Sequence, residues 1–525
     1  MNKYIIILFS LFFYNYPLKA QEIKTITKAD YKDSVFTSKV DFDSVKFIAP
    51  ANFYHTKFSS QANFNNAQFD SLADFRVVQF DSSLTDFANA HFSSQAKFGG
   101  VYFPSLVNFR EAKFDSLAYF SVAYFNSNAN FIKTQFSSKV EFSQTHFVSL
   151  ANFHLANFSS LAYFREAIFD SYADFRRTDF SSLADFNKAD FNNSTIFGLT
   201  TFDSLADFSQ AHFSSETYFS RSRFSSLAIF DYTTFDSLAN FKEVNFDSLA
   251  YFHKAKFNTI TDFSFVTFNS EVDFRSAVLP DTLYFNNVKK IEKEIDFTFS
   301  RLDPNKKICN IDLVDTDISK IKLRYSRFKL IFPDTIYLYE QKSKVYEQLL
   351  NVQDKHGFLS GKEKLDKEYQ EFKYLENPQN DKSWVIKSVN HLTNFIQKHW
   401  WDYGYNKAKI FWWTFIFVAV FSLINWFLFD EMNEGVYEIS YVFRPYKNKE
   451  KYLWVKWNYT QYKFNISLQQ VIPAIIYTSL IFFGFRMSVE HVNYKNKAGV
   501  AYVYFQFVLG LVCLAYIANF IILSR

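Results

Sequence analysis

Residues 202–219 read FDSLADFSQAHFSSETYF, with phenylalanines at 202, 208, 213 and 219. The gaps are six, five and six residues. Neither a helix, at 3.6 residues per turn, nor a strand, at 2.0, repeats at that interval. The alternation is not local. It begins at Phe42 and runs to Phe285 through 45 register positions, of which 44 are Phe and one is Leu279. One gap departs from it, the seven residues between Phe80 and Phe87 in FDSSLTDF, which reads as a one-residue insertion.

A small residue stands two before many of these phenylalanines, as Ala206 before Phe208 and Ala211 before Phe213. Residues i−2 and i of an extended segment share a face. Each pair therefore marks a short strand with Ala and Phe inward and Asp207 or His212 outward. Polar pairs after the Phe, such as Asp203-Ser204, suit a turn stabilised by side-chain-to-backbone bonds. A strand and a turn every five or six residues make one side of a square coil. Eleven residues then cover two sides and twenty-two close one coil. Each Phe lies above the Phe 22 residues earlier, at the inter-strand spacing of about 4.8 Å. Rings at that separation stack favourably when offset. Each buried ring contributes about 1.5–3 kcal/mol before chain entropy is set against it. The expected core ladder includes Phe186, Phe191, Phe202, Phe208, Phe213, Phe219, Phe224 and Phe230. Eleven such coils make a rod of about 53 Å. Its open ends need covers, and residues 22–35 and 286–334 are the candidates.

The motif resembles that of the pentapeptide-repeat family, A-[DN]-[LF]-x-x. Ala73-Asp74-Phe75, Ala151-Asn152-Phe153, Ala184-Asp185-Phe186 and Ala239-Asn240-Phe241 match it. The resemblance covers roughly residues 36–333. It implies a mainly β fold, a right-handed quadrilateral β-helix, here built from half-coils of about eleven residues. It implies no activity. The departure is a sixth residue in alternate segments, commonly Leu (Leu72, Leu117, Leu161, Leu205, Leu238). That Leu is either a corner filler or part of a raised apolar stripe for a partner. Plain five-residue spacing returns at Leu313, Ile318, Leu323 and Phe328.

The composition agrees with a repetitive core: 70 Phe and 33 Tyr against 10 Gly and 9 Pro. Turns here cannot rely on glycine and proline. Charge is uneven. Residues 41–285 hold 18 Lys and Arg against 26 Asp and Glu, whereas residues 286–525 hold 33 against 24. The first imbalance is too small for a nucleic-acid mimic, and nucleic acid is not an expected partner. The second suits a membrane surface.

After residue 334 the pattern becomes helical. Residues 337–376 read as a hairpin of helices broken at His356-Gly357, with Ser360 and Glu363 spaced as a capping box. Trp384, Val389, Leu392, Phe395, Ile396 and Trp400 form one amphipathic face that leads to a Trp-rich, basic stretch of the kind common at membrane interfaces. Residues 410–429 and 498–523 read as transmembrane helices. Between them Val471–Phe485, fifteen residues with Pro473, reaches about 22 Å. That is short of a bilayer core of about 30 Å. It is either a short span or a re-entrant helix ending near 487.

Helix, short helix, helix resembles the pore module of two-transmembrane ion channels over about residues 400–525. Gly510 falls in the last helix and Tyr403-Gly404-Tyr405 in the approach. The resemblance implies a pore at Thr478, Phe482, Gly484, Phe485 and Arg486, and homo-oligomerisation through this domain. The filter T-x-G-[YF]-G aims backbone carbonyls at an ion. Here the Gly-aromatic pair stands, but Phe482 replaces the Thr and Arg486 the second Gly. A ring of arginines would repel cations.

The N-terminus, MNKYIIILFSLFFYNYPLKAQ, has the layout of a secretory signal over residues 1–20, or of an uncleaved anchor. Either one would export the residues C-terminal to it. The basic loop 430–470 is then cytoplasmic. These readings give four parts: signal 1–20, solenoid with caps 21–334, hairpin and linker helix 335–400, and membrane domain 401–525. Scarce cysteine without C-x-x-C disfavours zinc. His146 and His212 share a repeat position three coils apart, about 15 Å, which is too far for one metal. No catalytic residue, cofactor or metal is expected. The expected function is a multi-pass, non-catalytic scaffold of the bacterial inner membrane with the repeats outside, touching lipid and an unidentified protein. The alternative is a pore with the solenoid as accessory domain.

Overall fold

The computed structural model describes residues 24–81, 84–305, 307–333, 337–436, 452–457, 460–465, 470–485, 492–493 and 495–523. The signal segment and Arg486 lie outside them. The chain divides into two compact units after Lys362.

The first unit is a four-sided parallel β-solenoid. Its faces begin at Thr25–Ile26, Ala29–Asp30, Val35–Phe36 and Val40–Asp41, and the four sheets hold 13, 12, 11 and 14 strands respectively. Most strands are two residues long and pair with the strand 22 residues on, as Phe191 with Phe213 and Ala184 with Ala206. At the insertion the step is 23: Phe69 pairs with Phe92 and Ala62 with Thr85. One coil absorbs the extra residue and the next returns to 22, as His91 with Lys113.

The faces alternate in kind. On the first and third the Phe is the second strand residue, as in His212–Phe213. On the second and fourth it comes just after the strand, as Phe208 after Ala206–Asp207. Ala206, Phe208, Ala211 and Phe213 are buried, and Asp207 and His212 are half-buried. The eight phenylalanines of the ladder from Phe186 to Phe230 are all buried. Phe186 lies 4.9 Å from Phe208 and Phe191 4.7 Å from Phe213, in near-parallel stacks. Between opposite columns the rings meet edge-on, as Phe208 with Phe219 at 5.3 Å and 86°. Stacking along the axis and edge-to-face contact across it are both favoured by the ring quadrupole.

Backbone bonds alternate in direction. Ala206 and Phe208 N–H donate forward to Leu227 and Ile229, whereas His212 and Ser214 donate back to Ala189 and Phe191.

The five-residue gap holds a tight turn. Ala211 N–H donates to Phe208 C=O, and Gln210 sits at φ 60°. This left-handed position recurs about every eleven residues and is almost always non-glycine, including the β-branched Val77 and Val122. It resolves how turns form with so little glycine: ring stacking overrides a local cost of about 1–2 kcal/mol per residue. The side chain that holds this turn precedes the Phe rather than coming after it, because Asp207 Oδ1 accepts from Ser209 N–H at 2.8 Å. In the six-residue gap, Leu72, Leu117, Leu161, Leu205 and Leu238 are half-buried at the corners. Each fills the corner and leaves part of its surface outside.

The coil extends beyond the eleven turns expected. Residues expected as covers continue the sheets at both ends, with strands from Thr25–Ile26 to Phe328–Leu330. The C-terminal cover is helix α1 (Tyr339–Lys355). Its buried Gln353 donates to Leu323 C=O at 2.9 Å and accepts from Tyr325 N–H at 3.1 Å. The side-chain amide thus stands in for a further strand. Arg327 donates to the carbonyls of Phe297, Thr298 and Ser300. His356-Gly357 breaks the helix as expected, with Gly357 at φ 67°. Helix α2 (Leu359–Leu375) starts one residue before Ser360, so Ser360 lies inside it rather than at its cap. Glu363 accepts from Lys367 Nζ instead.

The second unit contains α3 (Trp384–Trp400), α4 (Lys409–Phe427), α5 (Phe429–Gly435), α6 (Val471–Phe482) and α7 (Lys497–Leu523). Helices α4 and α7 are long and apolar enough to cross a membrane. The twelve residues of α6 reach only about 18 Å. Within the stretch read as a basic loop, Tyr452–Trp457 and Thr460–Asn465 pair as antiparallel strands. Their richness in aromatic and β-branched residues is the sequence signal.

Candidate functional site

On the first and third faces, six outward pairs across coils follow one rule. In each, a basic residue before the Phe meets an Asp after the Phe of the next coil, 24 residues on. Lys46–Asp70 (2.9 Å), Lys57–Asp81 (3.9 Å), His91–Asp115 (2.6 Å), His146–Asp170 (2.6 Å), His212–Asp236 (2.7 Å) and Arg223–Asp247 (2.6 Å) all obey it. Three histidines, His91, His146 and His212, are thus partnered. His146 and His212 lie on the third face and His91 on the first. The signal was in the sequence, but it is visible only once the 22-residue coil is set beside the alternation of faces.

On the fourth face an amide ladder runs along the rod. Asn130 Nδ2 donates to Asn108 Oδ1 and Asn108 Nδ2 to Asp86 Oδ1, both at 3.0 Å. The same oxygens accept the N–H two residues on, as Ile132 N–H to Asn130. Inside, Thr at the inward position two before several first- and third-face phenylalanines donates its hydroxyl to a Phe carbonyl of the preceding coil. Thr178 reaches Phe153, Thr200 Phe175 and Thr233 Phe208, at 2.8, 2.6 and 2.7 Å.

Carboxylates on these faces respond to their surroundings. Burial would raise Asp170, but hydrogen bonds from His146 and Asn192 outweigh it and hold Asp170 below the usual carboxylate range. Burial pushes Asp185 up, although Arg165 pairs with it. It also raises Asp231, which stands near Asp207 and Asp273. Open recesses are lined by Asn89, His91, Glu111, Lys113, Lys133 and Gln135 (about 540 Å³), and by Arg324, Ser326 and residues 356–361 (about 490 Å³). Among the described residues no group of three or more His, Cys, Asp or Glu is placed to hold a metal. Asp and Ser on the solenoid serve coil-to-coil and turn bonding. Such a surface displays groups along a rod.

In the second unit α4, α6 and α7 enclose a polar cluster. Asn425, Thr478 and Gln506 are fully buried; Asn425 Nδ2 donates to Thr478 Oγ1 at 2.8 Å and reaches Gln506 Oε1 at 3.5 Å. Among the described residues Asn425 Oδ1 and Gln506 Nε2 have no hydrogen-bond partner. Neither Asn425 nor Gln506 was among the expected site residues, although each interrupts an apolar run, which is the signal that could have found it. Of the pore residues implied by resemblance, Thr478 and Phe482 are buried. Gly484 has φ +70° and packs on Phe507, and Phe485 is exposed. Gly510 has a packing role: a Cβ there would lie 1.6 Å from Phe482 O, so only glycine lets the end of α6 touch α7.

The joint between α3 and α4 is strained. Asp402, Tyr403 and Gly404 all have positive φ. It is held by Tyr403 OH donating to Asn394 (2.5 Å), Tyr405 OH to Asp366 (2.9 Å) and the Lys367–Asp402 ion pair (2.7 Å). Burial pushes both tyrosine hydroxyls up to about 12, so both remain donors at neutral pH.

A family model described as pentapeptide repeats (9 copies) matches residues 31–79 and 197–245. No curated protein and no solved structure matches the chain. The chain therefore carries pentapeptide repeats folded as a β-solenoid, with apolar helices C-terminal to them.

Proposed function

We propose that this is a non-catalytic, membrane-anchored scaffold protein of the bacterial cell envelope, with the solenoid displayed outside the inner membrane. The observation that carries this reading is the commitment of side chains to one another. Core rings stack on rings, and six basic groups of the first and third faces pair with an Asp of the next coil, as His146 with Asp170 and Arg223 with Asp247. Two helices long and apolar enough to span a bilayer lie C-terminal to the solenoid. Half-buried leucines at successive corners, Leu161, Leu183, Leu205, Leu227 and Leu249, offer a protein partner a continuous edge. Protease added to intact spheroplasts tests the topology. Cleavage of the repeats from outside supports the reading, and protection until lysis overturns it.

A second reading is a pore. What favours it is the order of a long, a short and a long apolar helix, with Asn425, Thr478 and Gln506 buried between them, since polar groups within membrane helices mark functional sites. Conductance in reconstituted bilayers, compared with Arg486→Gly, tests it. Silence in both proteins sinks it.

A further inference from the structure

An amphipathic helix of a folded unit ordinarily turns its apolar side inward. Helix α3 does the reverse. Its inward side is polar: Asn394 is buried and accepts from Tyr403 OH and Asn390 donates to Asn380 Oδ1 at 2.8 Å, while at its margin the exposed Lys398 pairs with Glu371 at 2.7 Å. Its outward side is apolar. Trp384 is 79% exposed, Val389 56%, Leu392 60% and Phe395 59%. These contacts fix the rotation of the helix, so the apolar side cannot turn in without breaking three polar links.

Exposed apolar side chains recur on α4, which packs against the end of α3. At the end of α3, Trp400 packs on Phe417 of α4 and Tyr516 of α7 at 5.6 and 6.0 Å, and Trp413 Nε1 donates to His399 C=O. Just beyond the joint, Phe411, Trp412 and Phe415 of α4 are exposed. The corner gathers Trp400, Trp401, Trp412 and Trp413, and α3 carries Lys387, besides the Lys398 paired with Glu371, and no acidic residue. Tryptophans concentrate where a span meets the headgroups, and basic amphipathic helices lie in that plane, attracted to anionic lipid.

We propose that α3 is an in-plane membrane helix, with Trp384, Val385, Val389, Leu392, Phe395 and Ile396 seated in the acyl boundary of a bilayer containing anionic lipid. The tied joint at 402–404 holds it there. This rests on the reading that α4 and α7 span the membrane.

The test uses the full chain in vesicles of phosphatidylcholine and phosphatidylglycerol. Nitroxide labels are placed singly at Val389→Cys, Leu392→Cys, Lys387→Cys and, within α4, Phe415→Cys. Collisions with oxygen, which partitions into lipid, are compared with collisions with a water-soluble nickel complex. The expected result is oxygen-dominated relaxation at 389, 392 and 415 and nickel-dominated relaxation at 387. Labels at 389 and 392 as open to nickel as that at 387, with 415 still in lipid, overturn the inference alone. Nickel access at 415 as well overturns the membrane reading beneath it. Dipolar broadening between labels at 389 or 392 means that a second copy covers the face, and also overturns the inference.

Discussion

His146 Nε2 and Asp170 Oδ2 lie 2.6 Å apart across one coil boundary, 24 residues apart in sequence. Asp170 is held below its ordinary range, so it binds fewer protons folded than unfolded near that range. Its contribution is therefore present above the unfolded carboxylate pKa and is lost as pH falls through the lower, folded value. His146→Ala should lower stability at neutral pH by up to about 1 kcal/mol, the ceiling for a partly exposed pair. The deficit against wild type should close toward zero in acid. Thermal midpoints of the detergent-solubilised chain across a pH series measure it. A deficit that grows in acid contradicts the assignment.

Val122 is a β-branched residue at φ 58° with 60% of its surface exposed. It has little packing to lose and backbone strain to shed. Val122→Gly should stabilise by about 0.5–1 kcal/mol, the relief of the left-handed conformation less the added freedom of the unfolded chain. Gly100, at the same repeat position, should show the converse on Gly100→Val. Paired denaturation curves decide it; opposite signs are required.

Gln353→Leu removes both bonds that close the end of the solenoid and should cost about 2–3 kcal/mol, because the buried Tyr325 N–H and Leu323 C=O lose the bonds that Gln353 supplies. Gln353→Glu should cost more, since it keeps the acceptor for Tyr325 but turns a carboxylate oxygen on the Leu323 carbonyl. Hydrogen exchange at Tyr325 reads the loss directly. Unchanged protection in both variants would show that α1 does not cap the coil.

Gly510→Ala should disrupt the second unit, because its Cβ meets the backbone of Phe482. Gly435→Ala is the control, with nothing among the described residues within 4 Å of the added carbon. Size-exclusion profiles in detergent should broaden for the first and stay sharp for the second.

The core was legible because its signal is periodic and uses one residue type. Phe202, Phe208, Phe213 and Phe219 announce four faces by spacing alone, and Phe80 to Phe87 announces an insertion that one coil absorbs. The ends were harder. There Ile291, Ile295 and Ile311 take over the inward positions, and the altered composition suggested covers where the sheets in fact continue. Pairs such as Lys46–Asp70 depend on two offsets at once, coil and face. Gln353 and Gln506 gave no periodic signal; each matters through a neighbour distant in sequence, and only the fold supplies that neighbour.

The first and third faces share one strand type and the second and fourth share another, so the interior is indifferent to a half-turn while the exterior is not. Deleting twenty-two residues would shorten the rod by one step and leave its outer ladders aligned. Deleting eleven would leave the rings equally content, yet rotate everything downstream so that opposite sides exchange places. Natural variants of such a chain should therefore differ in length by whole coils wherever an external partner reads the surface, and by half-coils where nothing does.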